Sequence, residues 1–150
     1  MQLSDLIEHR DIAIGVHAPD IGTAAAQLLR ETLPRRGFAP SDVDRVVNAV
    51  LEREREAPTL CGSIAIPHAR DPLLPSFVAA IGVNAGGIVD GSPTPKVMIV
   101  FVSPEAERNE HLALLASLAR FGRDDTAVAS MAAATSSEDV VRFVHAPART

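Results

Sequence analysis

One segment limits the folds open to this chain more than any other. After Lys96 comes Val97-Met98-Ile99-Val100-Phe101-Val102, six apolar residues with no polar position among them. A strand with one face in water alternates apolar and polar residues, whereas a strand buried on both faces does not. The run therefore predicts the centre of a sheet covered on each side by helices. Amphipathic helical patterns occur on both sides of it in sequence. The reading is an α/β domain: a mixed parallel/antiparallel β-sheet with helices packed on both faces. A length of 150 residues suits one domain over 1–150, with no interdomain linker, repeat or low-complexity segment.

The other elements follow in order. Leu6-Ile7 suggests a helical turn docking the terminus. Residues 11–16 alternate and predict the first strand, with His17 as its polar end. Asp20 is a suitable N-cap for a helix over 21–33, and Ile21, Ala24, Ala25, Leu28 and Leu29 share one face. Pro34 and Gly37 stop it, and Arg35-Arg36 would lie near its orphan carbonyls. Pro40-Ser41 begins a second helix, with Asp44 completing a weak capping box and Val43, Val46, Val47, Val50 and Leu51 as its buried stripe. It ends in the solvated charge run 52–56. Residues 57–63 read as a loop. Ile64-Ala65-Ile66 reads as a short strand that Pro67 ends, since proline has no N–H to give. Residues 76–83 predict another strand and 84–95 a Gly/Pro-rich connection. Beyond the central strand, a helix over about 107–121 turns His111 inward with Leu114, Leu115 and Leu118. Asp124 or Asp125 caps a further helix through 131–134. Ser136-Ser137-Glu138 opens the last one, on Val140, Val141 and Val144. His145 ends that helix with no assigned function, and 146–150 are expected to fray.

Several functions are excluded at this level. A net charge of −5, with no Trp and no Tyr, offers neither a basic footprint nor stacking platforms for nucleic acid. Cys61 is the sole cysteine, so no intrachain disulfide can form, and it reads as a small buried hydrophobe. No His-x-His or His-x-x-x-His pair anchors a metal, and no cofactor is expected. Charges at Asp5, Glu8, Arg10 and Asp11 leave no room for a signal-peptide core, and the uncharged run 73–89 is broken by Pro75 and glycines. A cytoplasmic protein without direct membrane insertion is expected.

Two histidines remain. His68 follows the rigid Pro67 at a strand terminus, a place where a side chain is aimed and partly exposed. His111 looks inward from the first turns of the helix after the central strand. Two imidazoles and a helix N-terminus around one point suit a small anion.

Ile64-Ala65-Ile66-Pro67-His68-Ala69-Arg70, preceded by Leu51-Glu52-Arg53-Glu54 and followed by Phe101-Val102-Ser103-Pro104-Glu105 and His111-Leu112-Ala113-Leu114-Leu115, resembles the IIA component of the bacterial phosphoenolpyruvate-dependent sugar phosphotransferase system. The likeness is to its fructose/mannitol class, which includes the nitrogen-regulatory IIA proteins, and it runs over nearly the whole chain. It implies a mixed sheet flanked by helices. It also implies that His68 accepts a phosphoryl group from phospho-HPr and passes it to a IIB domain, and that His111 stabilises that group. By the same resemblance Arg53 is the arginine of the family's Arg-Glu motif, with Arg55 as its competitor if the register shifts, and Thr59 is the threonine of the loop before the active strand. Arg70 is a second cation near the site or a solvent-exposed strand-end charge. The chain departs from the family at Thr59-Leu60-Cys61-Gly62-Ser63, which is one residue shorter than the usual Gly-rich segment and lacks its Asn.

Three functions stand beside one another. The first is a phosphohistidine carrier, with an HPr-like donor and a separate IIB partner. The second is a regulator whose phosphorylation alters binding to a target protein. The third is a degenerate domain used as a binding module without phosphorylation.

Overall fold

The computed structural model describes residues 2–91 and 94–145. Residues 146–150, expected to fray, lie outside the described residues, as do 92 and 93. Six strands form one sheet: β1 (Ile12–Ile14), β2 (Leu60–Cys61), β3 (Ile64–Ala65), β4 (His68–Asp71), β5 (Val78–Val83) and β6 (Val97–Pro104). Five α-helices accompany them: α1 (Ile21–Thr32), α2 (Pro40–Glu56), α3 (Arg108–Gly122), α4 (Asp125–Ala132) and α5 (Ser137–Val144). Short 3₁₀ turns cover Leu3–Asp5, His9–Asp11 and Pro34–Arg36.

The apolar run is the central strand. β5 pairs antiparallel with β6 along one edge, and β1 pairs parallel with β5 beyond it. Along its other edge β6 carries β3 and β4 in tandem, both parallel to it, and β2 pairs antiparallel with β3 outside them. Side chains of β6 alternate between two cores. Met98, Val100 and Val102 join α1 and α2 on one face. Val97, Ile99 and Phe101 join α3, α4 and α5 on the other. Every one of these six is fully buried, which is why no polar residue interrupts them.

Helix starts follow local chemistry. The Asp20 carboxylate accepts from the Thr23 N–H at 2.7 Å, Asp124 accepts from the Ala127 N–H at 3.0 Å, and Ser136 accepts from the Asp139 N–H at 3.2 Å. α2 differs from the expectation. Its N-cap is Ala39 with Pro40 at the first helical position, so no capping box forms. Asp44 instead binds Arg30 of α1 at 2.6 Å.

Two further expectations are corrected. Arg36 does not serve as a helix-end cation. Its guanidinium grips the fully buried Asp11 through two bonds of 2.6 and 2.9 Å and donates to the Leu6 carbonyl at 2.7 Å. A buried carboxylate needs such a partner, and this one ties the first turns of the chain to the end of α1. Residues 57–63 are not wholly a loop, because Leu60 and Cys61 add an edge strand to β3.

Pro67 does not end the pairing either. Its carbonyl accepts from the Phe101 N–H at 3.2 Å, so the central ladder is satisfied across the proline, and the chain pairs with β6 again from His68 onward. His68 therefore opens a strand instead of trailing one. At the far end of β4 the buried Asp71 binds Arg45 of α2 at 2.9 Å and accepts from the Leu73 N–H at 3.0 Å. That ion pair seats α2 against β4 and brings the C-terminal turn of α2 beside His68.

Candidate functional site

The interruption at Pro67 aims His68. The Ile66 N–H is held by the Thr59 carbonyl at 2.9 Å, and the residue before a proline is confined to extended backbone. The Ile66 carbonyl then meets His68 Nδ1 at 2.8 Å. A carbonyl only accepts, so Nδ1 carries the proton and donates it. In the neutral ring Nε2 is left with its lone pair. His68 as a residue is 5 % exposed, and its ring stacks on Phe101, with centroids 5.5 Å apart and planes at 13°.

His111 is the fourth residue of α3, and its ring reaches back over the sheet. Its centroid is 5.3 Å from that of His68 and 4.9 Å from that of Phe101, tilted by 57° and 52°. Its Nδ1 lies 2.5 Å from Ser103 Oγ, and both residues are buried. Among the described residues neither Nε2 has a hydrogen-bond partner, and neither is a sealed, unsatisfied atom. Both therefore reach the space in front of the two rings.

That space is a cleft of about 500 Å³. α2 contributes Arg53, with Glu52 and Glu56 beside it; β4 contributes His68 and Arg70. α3 contributes His111, Arg108 and the exposed Leu112. Arg53 Nη1 donates to the Ala57 carbonyl at 2.7 Å, across the end of its own helix. The N-terminal end of α3 adds partial positive charge.

Burial sets the protonation of both histidines. It holds the His68 imidazole below its usual pKa; its bond to the Ile66 carbonyl opposes this and the Arg53 charge reinforces it. His111 is pushed down to about 4, first by burial, then by His68, Arg70 and Arg53. At pH 7 the site holds two mainly neutral imidazoles facing a cleft of mixed charge, in which Arg53, Arg70 and Arg108 stand among Glu52, Glu56 and Glu105.

The sequence-predicted residues divide accordingly. His68, His111 and Arg53 meet at one cleft, and Arg70 joins them as the second cation. Thr59 is half-buried on the adjoining loop and is not among the residues lining the cleft. Its carbonyl holds Ile66. Three neighbours escaped the sequence reading. Phe101 could have been found from strand register, since it pairs with His68. Arg108 stands one helical turn before His111, within side-chain reach on the same face. Ser103 is a lone hydroxyl next to the most apolar run.

Among the described residues no group of three or more His, Cys, Asp or Glu is arranged to hold a metal ion, and no helix is long and apolar enough to cross a membrane. A larger hollow, about 730 Å³, lies between the N-terminal turns and α5. Its charged groups already have partners: Arg36 with Asp11, and Arg10 with Glu8.

Comparison with known proteins identifies relatives of the whole fold. The family model for the phosphoenolpyruvate-dependent sugar phosphotransferase system, EIIA 2, matches residues 5–146. The fold is similar to the crystal structure of the nitrogen regulatory protein IIA-Ntr from Neisseria meningitidis, at TM-score 0.74 and 18 % identity over 95 % of this chain and 98 % of that one. It is similar to the crystal structure of IIA mannitol from Escherichia coli, at TM-score 0.74 and 21 % identity over 92 % and 98 %. It is also similar to the mannitol enzyme IIA of Escherichia coli in complex with phosphorylated enzyme IIB, at TM-score 0.72 and 23 % identity over 92 % and 96 %.

Proposed function

The chain belongs to the phosphoenolpyruvate-dependent sugar phosphotransferase system EIIA 2 family, and on that premise we propose that its His68 carries a phosphoryl group from an HPr-like donor to a separate IIB partner. The observation that carries this reading is the fixed tautomer of His68. Its Nδ1 proton is committed to the Ile66 carbonyl, so the lone pair is on Nε2, the atom open to the cleft.

In the transfer, Nε2 attacks the phosphorus, the bond from phosphorus to the donor breaks, and an Nε2–P bond forms. The ring then holds positive charge shared with its Nδ1–H, and the bond to Ile66 becomes charge-assisted. Phosphoryl transfer asks little covalent help from a protein; positioning and charge stabilisation supply most of it. Phe101 fixes the plane of the nucleophile. Arg53 and Arg70 offset the oxygens' charge, and Arg53 would leave the Ala57 carbonyl to do so. His111, neutral and adjacent, stabilises the bound group. The onward step reverses this one: a nucleophile on the IIB partner takes the phosphorus, and the electron pair returns to Nε2.

The test is intact mass after incubation with phosphoenolpyruvate, enzyme I and HPr, beside His68→Ala. The expected result is one acid-labile phosphoryl group on the wild type and none on the variant. No uptake from a cognate HPr would remove the carrier reading. Discharge on adding a IIB domain would mark a transport carrier; retention of the group, with altered binding to a target protein, would mark a regulator.

A further inference from the structure

Among the described residues Ser103 is the one buried hydroxyl beside the histidine pair, and no part of the proposed transfer step uses it. It lies in β6 two residues beyond Phe101, on the same face of the sheet, and it is fully buried. Its Oγ is 2.5 Å from His111 Nδ1. Such a contact forms in either of two ways. If His111 Nδ1 held the ring proton and donated it, the serine proton would need a different acceptor. Among the described residues Oγ has no second partner, so that proton would be stranded in a buried site, which is costly. If the serine O–H donates to Nδ1, both groups are satisfied.

We propose that Ser103 is a positioning residue: its hydroxyl donates to His111 Nδ1 and so keeps the imidazole proton on Nε2, facing the cleft. The two neutral histidines are then opposite tautomers. His68 has its proton on Nδ1 and a lone pair in the cleft; His111 has its lone pair tied to Ser103 and an N–H in the cleft. One nitrogen attacks phosphorus, and the other donates to a phosphoryl oxygen. With the proton on the wrong nitrogen, the His111 lone pair would face the oxygens and repel them. The backbone sets the first tautomer through the Ile66 carbonyl, and the second depends on a single side chain. The consequence for transfer rests on the carrier reading, whereas the proton's position is a property of the free protein.

The experiment reads both. Long-range proton–nitrogen NMR spectra of the unphosphorylated protein assign each imidazole nitrogen in the wild type, Ser103→Ala and Ser103→Thr. The expected wild-type pattern is a protonated Nε2 and a hydrogen-bonded, unprotonated Nδ1 in His111. In Ser103→Ala the His111 Nδ1 signal moves to that of a free or partly protonated nitrogen, the His68 signals stay in place, and phosphorylation slows on the order of ten-fold. Ser103→Thr, which keeps a hydroxyl, restores the His111 pattern. A wild-type proton on His111 Nδ1, or His111 signals unmoved in Ser103→Ala, overturns the proposal, as does a Ser103→Ala protein phosphorylated at the wild-type rate. If the wild type takes up no phosphoryl group, the carrier reading falls and the nitrogen spectrum alone decides the proton's place.

Discussion

His68 and Phe101 face each other across β4 and β6, paired in register, with rings 5.5 Å apart and nearly parallel. Phe101 is fully buried and also meets His111 at 4.9 Å, so one aromatic ring supports both imidazoles. Phe101→Ala should cost about 3–5 kcal/mol of stability, the usual range for emptying a buried aromatic site. Phe101→Leu keeps most of the volume and should cost less than about 1.5 kcal/mol, while it removes the flat surface under His68. Urea unfolding and phosphorylation rates separate the two effects. The leucine variant should fold and accept phosphate several-fold more slowly; an unchanged rate would mean that the ring only fills space.

The paired histidines make stability depend on pH. Folding holds both below the ordinary value near 6.5, His111 to about 4. Between those values the unfolded chain binds protons that the folded chain refuses, so stability rises with pH there. The contribution is complete above about pH 6.5 and is lost as pH falls toward 4. Denaturant midpoints should drop between pH 7 and pH 5 in the wild type. His111→Gln, which cannot titrate, should show a shallower drop. Equal slopes would place the pH dependence elsewhere.

Arg53 has a different character from Asp71's partner, Arg45. Arg45 is committed to a buried carboxylate. Among the described residues Arg53 holds only the Ala57 carbonyl at the exposed end of its helix, a bond worth about 0.5–1.5 kcal/mol. Arg53→Gln should therefore change the unfolding midpoint little, yet lower the phosphorylation rate on the order of ten-fold by removing charge stabilisation from the cleft. Arg53→Lys should recover only part, since a point charge replaces a planar fork. A glutamine variant with the wild-type rate would assign the cation's role to Arg70 or Arg108.

The architecture was readable where the relevant chemistry is local. The apolar run marked β6, side chains at Asp20 and Ser136 marked two helix starts, and helical spacing turned His111 inward. What escaped depends on contacts between distant segments. Asp11 and Arg36 are 25 positions apart, and nothing near either residue announces the other. Asp44 satisfied a capping pattern but found a better partner in Arg30 once α1 and α2 packed together. Pro67 read as a stop because its missing N–H is visible in sequence, whereas its carbonyl's bond to Phe101 is not. Ser103 carried no signal of its own: a hydroxyl in a strand gains meaning only from the nitrogen placed against it.

The β2–β3 hairpin is seated on the end of α3, and this seating reaches His68. A Cβ on Gly122 would stand 2.2 Å from the Cys61 carbonyl oxygen and 2.8 Å from Ile64, so an alanine there must push β2 and β3 away. The Ser63 N–H donates to the Gly122 carbonyl at 3.2 Å, and Ser63 Oγ donates to Asp125 at 3.2 Å. From that hairpin the Thr59 carbonyl holds Ile66, and the Ile66 carbonyl holds the His68 proton. Gly122→Ala should therefore destabilise the fold by about 1–3 kcal/mol, as overpacking does. It should also slow phosphorylation of His68, although Gly122 does not line the cleft. Gly37→Ala is the control. Its added Cβ meets nothing within 4 Å, and its positive φ of 90° makes it costly for backbone reasons alone. It should lower the unfolding midpoint and leave the phosphorylation rate of the folded protein unchanged. Equal rates in both variants, measured well below their midpoints, would show that the hairpin supports the fold without aiming His68.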